Sequence, residues 1–480
     1  MLQCKSKKII SEINDFFTSS EKAIKKTIEV YNALRLDRMK VSEKIFPQTL
    51  HDKRDILLCM LLQPLFAIKN VRQYVGSELQ LYINAGKDTL YRFKNDSKNE
   101  WRKLSYKINR IIYNKIMESG SDDNASPRCL IIDDSDLPKK GRFIEHVSRI
   151  WSHVVNQGIL GFKGLFLCYW DSKSLIALDF SLHKEIGKNQ KYPYGLKPSV
   201  IKKQYKKRRS IKNAGMTRVK ELEKNKIETA ITMMQRAKRH KILFEYVLMD
   251  SWFVCDKMIK YVTGSGAHLL GMAKMGKSKY NYKGKEYSAK ELAAILRRGK
   301  KDRKLKRLGL YVSEVIVDFK GVSVKLFFSR TSKRGSWHLL LCTNTNLAAS
   351  IAYEIYAIRW SIEVFFKESK QHFQMGKSQA RDFDAQIADV TISMIQYNIF
   401  SLAKRFSDYE TLGELFKDAK DSAIELTISK RLWLLFLELI NLIAGYAEID
   451  MMDFMENIIQ DGNSENKLIK MLNKSFANAA

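Results

Sequence analysis

The sequence predicts a mixed α/β sheet flanked by helices, with a β-rich insertion inside it and helical regions before and after it. Three observations carry this. Between residues 129 and 346 short β-rich runs alternate with helical segments; helical spacing dominates before about 125 and after about 385; and a Lys-rich, Gly-punctuated stretch interrupts the alternation from 275 to 336.

Residues 1–125 read as helical. Apolar residues recur at helical spacing in ILLCMLLQPLFAI (56–68) and WRKLSYKINRIIYNKIM (101–117). Between them Tyr91, Arg92, Phe93, Lys94, Trp101 and Arg102 interleave rings with cations. That pattern suits DNA contact, and it equally suits a helical bundle whose aromatics are core and whose cations are solvated. The polar, turn-rich SGSDDNASP (119–127) marks a domain boundary. A mixed α/β core then runs over 126–274. Its strands are CLIIDD (129–134), the hairpin GLFLCYWDSKSLIALDFSL (164–182) turning at Asp171–Ser174, FEYVLMD (244–250) and HLLGMAK (268–274), with a helix through KMIKYV between the last two. The basic run from Lys202 to Lys220 reads as a solvated face leading into a helix.

The insertion, 275–336, contains a hairpin turning near Lys320-Gly321, and WHLLLCTNTN (337–346) resumes the sheet. The second part of the core, 337–405, holds YAIRWSIEVFFKESKQ (356–371). At 100° per residue Tyr356, Arg359, Glu363, Lys367 and Lys370 share one polar stripe, while Ile358, Ile362, Phe365, Phe366 and Phe373 gather opposite. Residues 406–480 are expected to be helical. The apolar run 432–447, broken by Glu438 and Asn441, is too short for a bilayer span and reads as a buried or dimer-forming helix.

Lys and Arg number 84 against 52 acids, a net charge of +32 with a pI near 9.7. Such an excess favours a polyanionic partner, nucleic acid first. A polybasic membrane-surface protein is the competing reading, but no lipidation signature accompanies it. Six scattered cysteines form no Cys-x-x-Cys pair and eight histidines form no ligand-spaced set, so neither a disulfide scaffold nor structural zinc is indicated. The amino-terminal residues lack a secretory pattern, which points to a reducing cytoplasm.

Two predicted strands end in acid, at Asp133/Asp134 and at Asp250. Functional groups collect at such strand ends, although a single Asp there more often only caps a helix or turn. If Glu363 projects from a helix over the same sheet, three carboxylates converge. Two like charges about 4 Å apart repel by roughly 4 kcal/mol at an effective dielectric of about 20. A divalent cation reverses the sign, and an oxygen-only ligand set selects Mg²⁺ or Mn²⁺.

Tyr356, Arg359, Glu363 and Lys370, separated by two, three and six residues, match the Tyr-Arg-Glu-Lys signature. The chain thereby resembles bacterial insertion-sequence DDE transposases of the insertion sequence four family. IIDDS resembles the family's Asp-Asp-Thr element, with Ser135 for Thr, and DSWF its Asp-any-Gly-Tyr/Phe element, with Trp252 where Gly is usual. The resemblance implies an RNase H-like core whose catalytic metal ligands are Asp134, Asp250 and Glu363, with Asp134 preferred over Asp133 because the family's Asp directly precedes the hydroxyl residue. It implies two Mg²⁺ ions, replaceable by Mn²⁺, and cut-and-paste transposition by 3′-strand cleavage and strand transfer. Tyr356, Arg359, Lys367 and Lys370 would contact DNA. The partners implied are the element's terminal inverted repeats, target DNA and a second protomer on the paired ends, in a bacterial cytoplasm at the nucleoid. Some relatives form a hairpin with a flipped base; Trp252 and Trp337 are the candidate platforms for it, or else core residues. A stand-alone RNase H-like nuclease and a non-catalytic DNA-binding derivative are the alternatives.

Overall fold

The computed structural model describes residues 53–421 except 78, 81–84, 119–126, 188, 300, 301, 333 and 334. The expected boundary at 119–127 and the apolar run 432–447 thus lie, almost wholly and wholly, outside the described residues. The larger of two compact units, Val30–Pro64 with Ile68–Glu414, contains every element labelled below.

Twelve strands form one sheet. They are β1 (Cys129–Pro138), β2 (Ser148–Ser152), β3 (Gln157–Trp170), β4 (Leu175–His183), β5 (Tyr246–Met249), β6 (His268–Ala273), β7 (Lys279–Tyr282), β8 (Lys285–Ser288), β9 (Arg303–Leu305), β10 (Leu310–Phe319), β11 (Val322–Arg330) and β12 (His338–Cys342). β3 runs antiparallel to β4 and β1, and β1, β5 and β6 are parallel, so that the order β4-β3-β1-β5-β6 is an RNase H-like sheet. The insertion extends this sheet: β12 adds antiparallel to β6, followed by β11, β10, β7 and β8. Its hairpin turns at Lys320 and Gly321, both with positive φ (53° and 86°), the conformation two-residue hairpins demand. β1 runs four residues beyond the expected strand, and β2 has no counterpart in the sequence reading.

Ten longer helices accompany the sheet: α1 (Lys53–Leu62), α2 (Lys87–Asn95), α3 (Trp101–Glu118), α4 (Ala214–Glu221), α5 (Lys226–Arg239), α6 (Asp256–Gly264), α7 (Ala289–Arg298), α8 (Ala349–Ala357), α9 (Trp360–His372) and α10 (Phe383–Arg405). α10 is buried along nearly its whole length and packs on α1, α2, α3 and β4. Its Asn398 closes a polar clip. The side chain donates to Asn109 Oδ1 of α3 and to the Ala177 carbonyl of β4, both at 2.8 Å, and accepts the Ala177 N–H at 2.8 Å. Full satisfaction is what makes such a group tolerable in a core. No described helix is long and apolar enough to cross a membrane.

Many basic residues expected in solvent are internal. Phe93 and Trp101 meet edge-on in the core at 5.3 Å, and Lys94 pairs with Asp389 at 2.6 Å. Arg102 grips Glu221 with two 2.8 Å bonds and reaches Asp179 at 3.0 Å, while Arg236 donates to Asp179 at 2.6 Å and Arg218 to Glu221 at 3.2 Å. This network joins α3, β4, α4 and α5. In the interleaved stretch 91–102, Phe93 and Trp101 are core and Lys94 and Arg102 are paired with acids across the fold, whereas Tyr91 and Arg92 are exposed.

Burial alone would raise the Glu221 carboxyl, but Arg102 and Arg218 more than offset this and hold it at about 2, below its ordinary 4.5. A depressed carboxylate contributes stability above its unfolded pKa and loses it as pH falls through the folded one. Urea titrations of Glu221→Gln are expected to show a loss of about 3 kcal/mol at pH 7. Its stability should also fall less steeply than the parent's between pH 4.5 and about 2.

Candidate active site

β1 and β5 are parallel and paired through Ile132 and Met249. One residue further on stand Asp133 and Asp250. Corresponding residues of parallel neighbours project to the same side of a sheet, so this register brings these two acids together. β5 ends at Met249, and Asp250 turns the chain away, its Oδ1 accepting the Trp252 N–H at 2.9 Å. β1 continues, paired to β3, which keeps Asp133 inside a strand and buried.

The third acid comes from α9. The apolar side of that helix, Ile362, Phe365 and Phe366, is buried; both rings lie against Phe166 of β3, at 5.7 and 5.2 Å, and Phe365 also meets Tyr397 of α10 at 4.8 Å. The opposite edge carries Glu363 and Lys370. α8 ends at Ala357 and α9 begins at Trp360; between them Ile358 and Arg359 keep right-handed helical dihedrals while the bonds tighten to i→i+3, so the expected polar stripe continues across the joint. Tyr356 therefore closes one helix while Glu363 opens the next, and Arg359 sits at the joint, 6.0 Å from the Tyr356 ring centre.

Arg359 is the local counter-ion. It donates to Asp133 Oδ2 at 2.6 Å and lies 3.5 Å from Glu363 Oε1. Burial pushes the Asp133 carboxyl up to about 7, and Asp250 and Glu363 push the same way against the opposing pull of Arg359. Two turns beyond Glu363, Lys370 donates to Ser135 Oγ at 2.7 Å. Lys367 is exposed.

Asp134 stands elsewhere. Strand alternation turns it, with Asp136, to the other face of β1, where Lys226 of α5 donates to its Oδ2 at 2.6 Å and Lys163 lies 3.9 Å from Oδ1. The geometry thus gathers Asp133, Asp250 and Glu363 and leaves Asp134 out. The parity of the two neighbouring acids is set by the β1–β5 register, and the sequence carries no direct mark of that register. Lys226 was also not foreseen; its ammonium lies 4.1 Å from the ring centre of Trp252, which is 44% exposed. Trp337 is half-buried, with the Arg330 guanidinium 4.4 Å from its ring centre.

The acids around Asp133 present carboxylate oxygens only, the donor chemistry of a hard divalent cation. Among the described residues no group of three or more His, Cys, Asp or Glu side chains is placed to hold a metal ion, and the Asp133 carboxylate is engaged by Arg359. The donor set fits such a cation once that guanidinium releases it.

Two family models match the chain. The transposase DDE domain model covers residues 219–399, which contain Asp250 and Glu363, and the DDE superfamily endonuclease model covers residues 46–283, which contain Asp133, Asp134 and Asp250. These matches support a DDE-superfamily transposase-type nuclease, a class that acts on DNA and generally uses divalent metals. No curated protein matches the sequence. Among solved structures, the crystal structure of the NurA nuclease from Sulfolobus solfataricus is similar over 54% of this chain and 83% of that one, at 11% identity and a TM-score of 0.22.

Removing the counter-ion should expose the cost of the acid cluster. Arg359→Ala is expected to destabilise the protein by about 3 kcal/mol, because a buried carboxylate loses its partner. Adding Asp133→Asn should restore most of that loss in a double-mutant cycle read by urea unfolding. Additive losses would show that the two side chains do not interact.

Proposed function

We propose that the protein is a DDE transposase of the insertion sequence four family, acting by cut-and-paste, with Asp133, Asp250 and Glu363 as its catalytic acids. The observation that carries this reading is the convergence of these three side chains around Arg359, in a chain that also bears the spaced Tyr356, Arg359, Glu363 and Lys370. Asp133 takes the role first expected of Asp134, because only Asp133 shares a face with the other two acids. The acids would hold Mg²⁺, or Mn²⁺ in its place, as a pair of ions. Such ions lower the pKa of an attacking water and neutralise charge on the transferring phosphoryl group.

The protein's own side chains do the remaining work. Arg359 and Lys370 face the acids with donors suited to phosphate oxygens, and a backbone phosphate of the transposon end takes Arg359 away from Asp133. In the first reaction water attacks phosphorus, the bond to the 3′ oxygen breaks, and that oxygen leaves with a proton as the 3′-OH of the element. In the second, this hydroxyl attacks a target phosphodiester, forming one P–O bond as another breaks. Trp252, 44% exposed beside Asp250, is the more available ring for stacking an unpaired base than the half-buried Trp337, although each ring has a cation over it. The region 1–125 and the lysine-rich insertion 275–336 supply further DNA contacts. Two protomers on paired ends, joined through 406–480, complete the reaction.

Incubating the protein with labelled DNA spanning its flanking ends and Mg²⁺, then mapping nicks and joined products, tests this. Asp133→Ala, Asp250→Ala and Glu363→Ala should each lower strand cleavage by roughly a thousandfold or more, while Asp134→Asn should cost about tenfold or less. Cleavage lost with Asp134→Asn and kept with Asp133→Ala would reverse the assignment of the first acid. Nicking without joining would identify a stand-alone nuclease.

A further inference from the structure

From Ile186 to Lys220 the chain carries twelve Lys or Arg residues and no Asp or Glu. A run of this kind ordinarily stays loose in solvent, since its charges repel. Residues 204–209 are instead tied down at successive points. Gln204 donates to the Val147 carbonyl at 2.8 Å and the Tyr205 N–H to the Phe143 carbonyl at 2.9 Å. Lys207 bonds Asp382 at 2.8 Å and Asp384 at 2.9 Å, while Arg209 takes both oxygens of Glu145, at 2.7 and 2.6 Å, and Asp384 at 3.0 Å. The Arg209 side chain is 2% exposed and that of Glu145 3%.

Alternation then sorts the cations. Lys207 and Arg209 turn inward, whereas Lys206 and Arg208 are exposed, as are Lys202, Lys203 and Lys212 nearby. None of these five has an acidic partner among the described residues. The stapling acids are buried and already matched by Lys207 and Arg209, so the outward field of the segment is that of its free cations. The exposed ring of Tyr205 stands among them. An ordinary solvated lysine face loses side-chain and backbone freedom when it binds a polyanion; here the backbone has been ordered in advance by internal ion pairs, which lowers that cost.

We propose that residues 202–212 form a preordered strap that docks the phosphate backbone of duplex DNA, at a place separate from the acid cluster. This rests on the DNA-processing reading above. The strap is a positioning contact: ammonium and guanidinium groups in a row match phosphates, which fix register on the duplex and carry no sequence information.

The test is equilibrium binding of a short duplex of arbitrary sequence over a range of salt concentrations, with the parent protein and the Lys206→Gln/Arg208→Gln double variant. Both side chains are exposed, so the thermal midpoint should not move. Loss of two phosphate contacts should flatten the log–log salt slope by about 1.8, with affinity falling about tenfold at low salt. An unchanged slope, in a parent protein that binds duplex, would overturn the strap and leave the transposase reading standing. A parent protein that binds no duplex would remove that reading and the strap with it. Equal dependence of phosphatidylserine-vesicle binding on Lys206 and Arg208, with duplex binding unaffected, would assign the strap to a membrane surface instead.

Discussion

The arrangement around Asp133 depends on one electrostatic constraint: three carboxylates held by different elements must share a small volume without driving those elements apart. Backbone register sets the first pair, since β1 and β5 pair up to Ile132 and Met249 and then deliver Asp133 and Asp250 side by side. Glu363 arrives on α9, whose aromatic face is committed to Phe166 and Tyr397 and cannot retreat. Arg359, at the joint between α8 and α9, supplies the compensating charge at 2.6 Å from Asp133. The chain keeps right-handed helical dihedrals through Ile358 and Arg359, so Arg359 stays one turn behind Glu363, 3.5 Å from its Oε1, while it reaches the strand.

The same logic recurs through a chain of net charge +32. Its acids are the scarcer partner, and several are spent inside. Asp179 and Glu221 bind Arg102, Arg218 and Arg236 where α3, β4, α4 and α5 meet; Glu145, Asp382 and Asp384 bind Lys207 and Arg209 beside the amino-terminal end of α10. Buried pairs of this sort add little net stability compared with apolar packing, but breaking one partner is costly, so they fix which segments lie together. Some exposed lysines pair with surface acids, as Lys257 does with Glu228, but others, Lys202, Lys203, Lys206 and Lys212 among them, have no acidic partner among the described residues. A protein arranged this way meets a polyanion with a field already in place.

The sheet shows how an insertion is accommodated without disturbing the acids. β12 to β8 continue outward from β6, at the opposite edge from β2 and β4, and their hairpins use the positive-φ turn at Lys320 and Gly321 that matches strand twist. The chain between Asp250 and Glu363 thus travels out along the sheet and returns through β12. The separation of the second and third acids in sequence is absorbed by strand pairing alone.

The elements whose periodicity repeats locally were legible in the sequence: the hairpin turning at Asp171–Ser174, the strands ending near Asp134 and Asp250, the β-rich insertion, and the apolar face of Ile362, Phe365 and Phe366. The spaced Tyr356, Arg359, Glu363 and Lys370, and with them Glu363 and Asp250 as candidates, were legible for the same reason, since a motif is written in spacing. Three features were decided only by the tertiary structure. Which of Asp133 and Asp134 faces the other acids depends on strand register, and a one-residue shift inverts the answer. Whether Arg102, Lys207, Arg209 and Arg218 lie in solvent or in the core depends on acids distant in the chain, in some cases more than 100 residues away, as with Arg102 and Glu221. The tightening of the helix to i→i+3 bonds at Ile358–Arg359 leaves no mark in the apolar spacing. Local spacing specifies elements and motifs; the pairing of charges across the fold is a long-range outcome, and it is this pairing that sets where each acid and each cation points.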